Sequence, residues 1–467
     1  MSADRLVFRG LVALLAAVCA AGLVRIAATI FLHVPLDPNE GWNAYHSLAA
    51  MSGGALYPPP DSFMFNNYPP LSFWIVGAFG QAIGDNIFAG RILSLAATLC
   101  IAGSVFVTLR FMDVGRWRAL FAALLLVAGL LDFTDYVGMD DPQLLGQAVA
   151  MGGLVLLVRR PRTPAVIAIA SMLMTAALFV KHNLVALPAA TVLWLALHDR
   201  HAAMRFAISG IAFALAGLAL FHMVYGVSLI GQLNSARLWS GEVFAANLAN
   251  FLIWSNVSLF GLAILAFFGK GDRHIALCAI YAAMSGAVGV PFAGGAGVDM
   301  NIWFDAAIAL ALGGGLLLQK LSGRSWLGTA VAFAYAIPLL AGLWLNWNGD
   351  WLTGDFWLYP LAEETASAEA DIAFLKGHDG PALCEMLSLC YWAGKREEVD
   401  VFNLGQAFAT GRQSDAALVR LIDARRFRTL EFDSLDDFTL GPNVRRAAMR
   451  QYRVDHASEN GAFLVAR

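Results

Sequence analysis

Charge is scarce in this 467-residue chain: Asp, Glu, Lys and Arg make up 14% of it, where an ordinary soluble domain carries roughly a quarter. That shortage excludes a water-covered globule. The 31 basic residues are nearly matched by 34 acidic ones, so nothing in the net charge argues for nucleic acid or another polyanionic partner. Cysteine is also sparse. Of five cysteines, Cys19, Cys100 and Cys278 fall in apolar runs, and Cys384 and Cys390 fall in a polar tail where a disulfide is compatible with their spacing but not established by it. No Cys/His spacing suggests a structural zinc. P-loop, GxSxG, HExxH and dinucleotide fingerprints are all missing, which removes the common nucleotide-dependent and hydrolytic chemistries.

What the chain has instead is apolar sequence, with 59% hydrophobic residues and a mean hydropathy of +0.63. About eleven runs approach the 20 residues that cross a bilayer as a helix. They fall near 9–33, 86–110, 119–135, 142–158, 164–180, 183–198, 205–225, 248–268, 275–292, 302–319 and 326–345. Every second junction is basic (Arg5 and Arg9; Arg110, Arg116 and Arg118; Arg159, Arg160 and Arg162; Arg200 and Arg205; Lys270 and Arg273; Lys320 and Arg324). Basic residues concentrate on the cytoplasmic side, so the N-terminus is expected inside, and an odd span count puts the tail outside. Residues 1–30 have the basic start of a signal peptide, but the apolar run outlasts a 7–15-residue h-region, which favours a retained span.

Two regions break the pattern. The first loop, 34–85, is rich in proline and aromatics, and its stretch 71–84 reads as an interfacial or re-entrant helix. Beyond about Trp351 a tail of helix-like stretches (363–376, 414–426) and strand-like ones (399–403, 427–433, 461–466) reads as a small α/β domain. The organisation expected is therefore a membrane domain over 1–350 and an external domain over 351–467.

Polar clusters gather at one predicted face. In LDPNEGW, Asp37 and Glu40 sit three apart, close enough on one helix side to converge on a hydroxyl or cation, although Asp37 before Pro38 also has the form of a helix cap. Lys181, in FVKHN, interrupts an apolar stretch where an ammonium needs a partner; snorkelling to the interface and binding a phosphate are both open to it, and His182 could add a donor. Arg91 lies one turn inside its helix. Asp140 and Asp141 precede another helix, where capping alone would account for them. In DMNIWFDAA, Asn301 and Asp305 fall on one helical face.

A first helix followed by an external acidic motif, Gly54, Leu56 and Tyr57, the YPPL of Tyr68–Leu71, GRILSL of Gly90–Leu95, MDDPQLL, the lysine of FVKHNLVALPAA and DMNIWFDAA together resemble the membrane glycosyltransferases of the C superfamily (GT-C), in the bacterial, family-39-like branch of protein O-mannosyltransferases and aminoarabinose transferases. The resemblance covers most of residues 1–345. It implies a polytopic α-helical fold in the bacterial inner membrane, a periplasmic active face, and inverting transfer of a sugar from a polyprenyl-phosphate donor to a lipid, glycan or protein acceptor. It implies Asp37 and Glu40 as base and acceptor-positioning acids, and Lys181, Arg91 and His182 on the donor phosphate. Tyr68, His46, Asp140, Asp141, Asn301 and Asp305 follow as positioning residues. The family's adjacent acidic pair is split here, because Asn39 precedes Glu40 and the second carboxylate is displaced to Asp37. Metal dependence varies in the superfamily, so a divalent cation on the external acids is compatible with the reading. Two other classes stay open: a lipid or solute transporter, whose polar groups would meet at mid-bilayer between inverted repeats, and an inactive relative that serves in glycan assembly.

Overall fold

The computed structural model describes residues 3–59, 61–159, 161–233, 237–346 and 359–467. Its first part is a helical bundle: α1 (Ala3–Thr29), α2 (Pro38–Ser52), α3 (Leu71–Ile83), α4 (Asn86–Phe111), α5 (Arg116–Leu131), α6 (Thr134–Gly138), α7 (Pro142–Val158) and α8 (Pro164–Val180). It continues through α9 (Ala186–His198), α10 (Arg200–Tyr225), α11 (Ser228–Leu233), α12 (Gly241–Phe268), α13 (Arg273–Phe292), α14 (Phe304–Lys320) and α15 (Ser325–Asn346). Seven of the described helices are long and apolar enough to cross a membrane, and α7, α8 and α9 are shorter apolar ones. Ile208, Ile211, Leu215 and Leu218 on α10 are exposed; in a bilayer such a face meets acyl chains rather than water.

The helix boundaries follow from local chemistry. Asp37 caps α2, with Pro38 in the first turn where its missing N–H costs nothing, and Gly53 closes the helix at φ 73°. Asp141 and Pro142 begin α7 in the same way. The chain breaks after α8 at Lys181, so the run on either side of it is two helices rather than one bent element. The 71–84 stretch is the 13-residue α3.

Residues 347–358, which include the boundary expected near Trp351, lie outside the described residues. The tail then forms α16 (Tyr359–Gly377), α17 (Leu387–Trp392), α18 (Val401–Ala409), α19 (Ala416–Asp423) and α20 (Pro442–Gln451) around a four-stranded sheet. Strands β1 (Ala382–Cys384), β2 (Thr429–Phe432), β3 (Tyr452–Ser458) and β4 (Gly461–Ala466) are ordered β1-β2-β4-β3, with only the β1–β2 pair parallel. The strand expected at 399–403 is instead the start of α18. Val399 and Val401 alternate like a strand, but the Asp400 carboxylate accepts the Asn403 N–H and caps a helix whose buried Val401, Leu404 and Ala407 repeat at helical spacing. Cys384 and Cys390 are disulfide-bonded.

The tail is seated on the first loop. Phe65 inserts into the tail's core, the Trp42 indole donates to Asp400 at 2.9 Å, and the Tyr45 hydroxyl donates to the Lys395 carbonyl at 2.8 Å. Close approach is possible because residue 41 is glycine: a Cβ there would lie 2.1 Å from the Ser388 nitrogen of α17.

Candidate functional site

Glu40 and Arg91 meet in the interior of the bundle, each fully buried. Glu40 Oε1 accepts from Arg91 Nε at 2.7 Å and from the Asp140 N–H at 3.2 Å. Its Oε2 accepts from Arg91 Nη2 at 2.7 Å and from the Leu36 N–H at 3.1 Å. Arg91 also donates to the carbonyls of Thr29, Leu32 and Val34, which occupies all five of its donors. Neither residue has capacity left for a substrate. The convergence of Glu40 with Asp37, and the placement of Arg91 on a donor phosphate, are therefore corrected: the pair ties the end of α1 and the first loop to α4.

Asp37 is in a different position. Its Oδ1 accepts from both the backbone and the side-chain nitrogens of Asn39, at 2.7 and 2.6 Å, while Oδ2 has no hydrogen-bond partner among the described residues. Asp37 lines a cavity of about 490 Å³ walled by Tyr68, Tyr136, Asp141, Arg237 and Asn301 from the bundle and by Glu385, Asp400 and Asp433 from the tail. Burial pushes the Asp37 carboxyl up to about 6; the two Asn39 hydrogen bonds pull against that, and nearby Asp141 and Glu40 add to it.

A second cavity of about 290 Å³ shares Asn67, Tyr68, Arg237 and Asn301 with the first and adds Lys181 and His182. Lys181 Nζ lies 3.1 and 3.2 Å from the two Asp141 oxygens and 5.0 Å from the Tyr68 ring centre. Asp141 thus lines the cavity of Asp37 while holding the lysine of the adjoining one. The partner that a lone ammonium in an apolar run requires is found.

The remaining expected residues divide. Tyr68, Asp141, His182 and Asn301 line the cavities; Asp140, His46 and Asp305 are not among the lining residues. Asp140 is buried against Gly90, where a Cβ would fall 2.0 Å from its Oδ1, and burial raises its carboxyl well above the usual range. His46 packs on Trp42, its Nδ1 2.8 Å from the Trp42 carbonyl, and burial lowers its pKa to about 4. Asn301 sits in a 3₁₀ turn (Met300–Trp303) before α14, whereas Asp305 lies in the first turn of α14 and accepts a hydrogen bond from Tyr281 at 2.5 Å.

Arg237 is the residue that sequence reasoning passed over. It lines both cavities, donates to the Ala296 carbonyl at 3.1 Å and makes no ion pair among the described residues. A signal existed: it is a lone arginine at a junction expected to face outside, where basic residues are few. Among the described residues no group of three or more His, Cys, Asp or Glu side chains could hold a metal ion, so the divalent cation weighed for the external acids finds no such ligand set there.

No protein-family model matches the chain, and no curated protein matches it in sequence. Solved structures do match in shape. ArnT from Cupriavidus metallidurans in the apo state is similar with a TM-score of 0.66 at 15% identity over 98% of each chain. The same protein bound to undecaprenyl phosphate gives 0.64 at 15% identity, over 97% of this chain and 98% of that one. The chain has the GT-C fold. The oligosaccharyltransferase of Archaeoglobus fulgidus, in a complex with Zn and sulfate, is similar at 0.55 and 11% identity, over 97% of this chain and 73% of that one. These likenesses concern the path of the backbone; the cavity described above is this chain's own.

Proposed function

We propose that the protein is an inverting glycosyltransferase that moves a sugar from a polyprenyl-phosphate donor to a hydroxyl of a lipid, glycan or protein acceptor, with Asp37 as the base. The observation that carries the proposal is the Asp37 oxygen that has no hydrogen-bond partner among the described residues, in a cavity that shares lining residues with the one bearing Lys181 and Arg237. The GT-C fold, and the solved complex of ArnT with undecaprenyl phosphate, support a donor of this class.

In this reaction the acceptor O–H gives its proton to Asp37 Oδ2 as the oxygen bonds to the anomeric carbon. The bond from that carbon to the phosphate oxygen breaks on the opposite side, and the polyprenyl phosphate leaves with the electron pair. General-base assistance of this kind is worth about 10² to 10⁴ in rate. Arg237 and Lys181 stabilise the developing phosphate charge, worth most where water is excluded. In this reading the tail walls the acceptor side; its disulfide suits an oxidising compartment, and the pattern of basic junctions supports a cytoplasmic N-terminus and a periplasmic tail.

Mass analysis of lipids and surface glycans from a strain lacking the gene tests the reading. Accumulation of one polyprenyl-phosphate sugar together with loss of one glycan modification is the expected result and identifies both substrates. An unchanged lipid and glycan profile contradicts it.

A further inference from the structure

A separate cavity of about 470 Å³ opens at the other end of the bundle. It lies between the start of α1, the start of α5 and the turn from α14 to α15. The 27 residues of α1 run from this cavity to Thr29, whose carbonyl binds Arg91 beneath the first site, so the two cavities are separated by roughly 40 Å. Nothing in the transfer reaction uses it.

The cavity is lined by Arg5, Arg9, Arg116 and Arg118 but by one carboxylate, Asp4. Asp4 Oδ2 accepts the Ser325 hydroxyl at 2.8 Å. Arg5 and Arg116 make no ion pair among the described residues, and Arg118 donates to the neutral Gln319 at 3.1 Å. Arg9 and Arg116 both lie over the Trp117 ring, at 5.1 and 5.5 Å. The guanidinium groups of Arg5, Arg116 and Arg118, collected around one hollow with no ion pair among the described residues, form a site whose ligand is an anion with several oxygens.

The surroundings identify the carrier of that anion. Leu6 and Val7 on α1 and Trp326 on α15 are exposed beside the cavity at 61%, 49% and 66%. In a spanning helix such side chains face acyl chains, and tryptophan belongs at the headgroup level. Basic pockets between spanning helices on the cytoplasmic side are suited to anionic headgroups.

We infer that this cavity binds the phosphate of an anionic phospholipid from the leaflet opposite the active site, with Arg5, Arg116 and Arg118 as its ligands. The site would bias the bundle's orientation and stability toward membranes that contain such lipids.

The test is native mass spectrometry of the full-length protein, purified in detergent and stripped of lipid, titrated with phosphatidylglycerol, phosphatidylcholine or inorganic phosphate. Wild type is expected to bind phosphatidylglycerol in preference to phosphatidylcholine, and Arg5→Gln/Arg116→Gln/Arg118→Gln to lose roughly fivefold in affinity per arginine. Arg200→Gln/Arg205→Gln, at another basic junction, is expected to bind like wild type. Lipid-free melting temperatures report folding, and the exposed single variant Arg116→Gln carries the test if the triple variant fails to fold. Equal binding of phosphatidylglycerol by wild type and the cavity variants, or equal loss in the Arg200/Arg205 variant, overturns the site. Displacement of the lipid by equimolar inorganic phosphate overturns the lipid as its ligand.

Discussion

Both oxygens of Glu40 are held by the guanidinium of Arg91, at 2.7 Å each, with no measurable exposure of either side chain. A carboxylate so engaged is structural. Removing one member of a buried pair leaves the other charge uncompensated, at a cost of about 3 to 5 kcal/mol. Glu40→Gln is therefore expected to lower the melting temperature and the folded yield. Arg91→Leu is expected to do so more strongly, since three carbonyls lose their donor as well. Thermal melting in detergent checks this, and the transfer rate per folded molecule of Glu40→Gln should stay near wild type.

Asn39 holds Oδ1 of the proposed base and opposes the rise in pKa that burial imposes on it. In the proposed reaction Asp37 acts as a carboxylate, so with its pKa raised to about 6 its contribution is expected to be present above that value and to fall about tenfold per unit below it. The Asn39 side-chain amide bonds the charged form and lowers the pKa. Asn39→Ala should move the acidic limb of the kcat/KM profile to higher pH while retaining activity at its plateau. An unmoved limb would show that Asn39 has no such role.

Arg237 and Lys181 should separate from Asp37 in kinetics. Arg237→Gln removes a cavity-lining cation that makes no direct ion pair among the described residues, so donor KM should rise about tenfold or more, with an unchanged melting temperature. Lys181→Met strands the buried carboxylate of Asp141, and is expected to impair donor binding and folding together. Donor-concentration curves read beside melting curves distinguish the two.

Gly41 keeps the tail on the first loop. Gly41→Val places side-chain atoms where Ser388 and Leu387 already lie, an overpacking of about 1 to 3 kcal/mol. The tail wall of the cavity, with Glu385 and Asp433, should lift. Faster limited proteolysis of the tail and reduced transfer are expected; unchanged proteolysis would contradict the docking described.

The residues that local chemistry governs were legible in the sequence. Asp37 before Pro38, and Asp141 before Pro142, mark helix starts, and the cost of an isolated ammonium marks Lys181 as needing a partner unless it snorkels to the interface. Which partner was not legible, because Asp141 is 40 residues away and only packing of α7 on α8 brings the two together. The same holds for Glu40 and Arg91, 51 residues apart: two charged residues at helix edges look like two ligands until tertiary structure shows that they satisfy each other. Residues 399–403 failed for a different reason. Two valines in alternation carry a strand pattern too short to outweigh a capped helix that begins at Asp400.

The most direct test is transfer from a polyprenyl-phosphate sugar by purified enzyme in vesicles, comparing wild type with Asp37→Asn under single-turnover conditions. The account predicts that Asp37→Asn binds the donor and melts as wild type does, while its transfer rate falls by about 10² to 10⁴. Transfer by Asp37→Asn at the wild-type rate would contradict it.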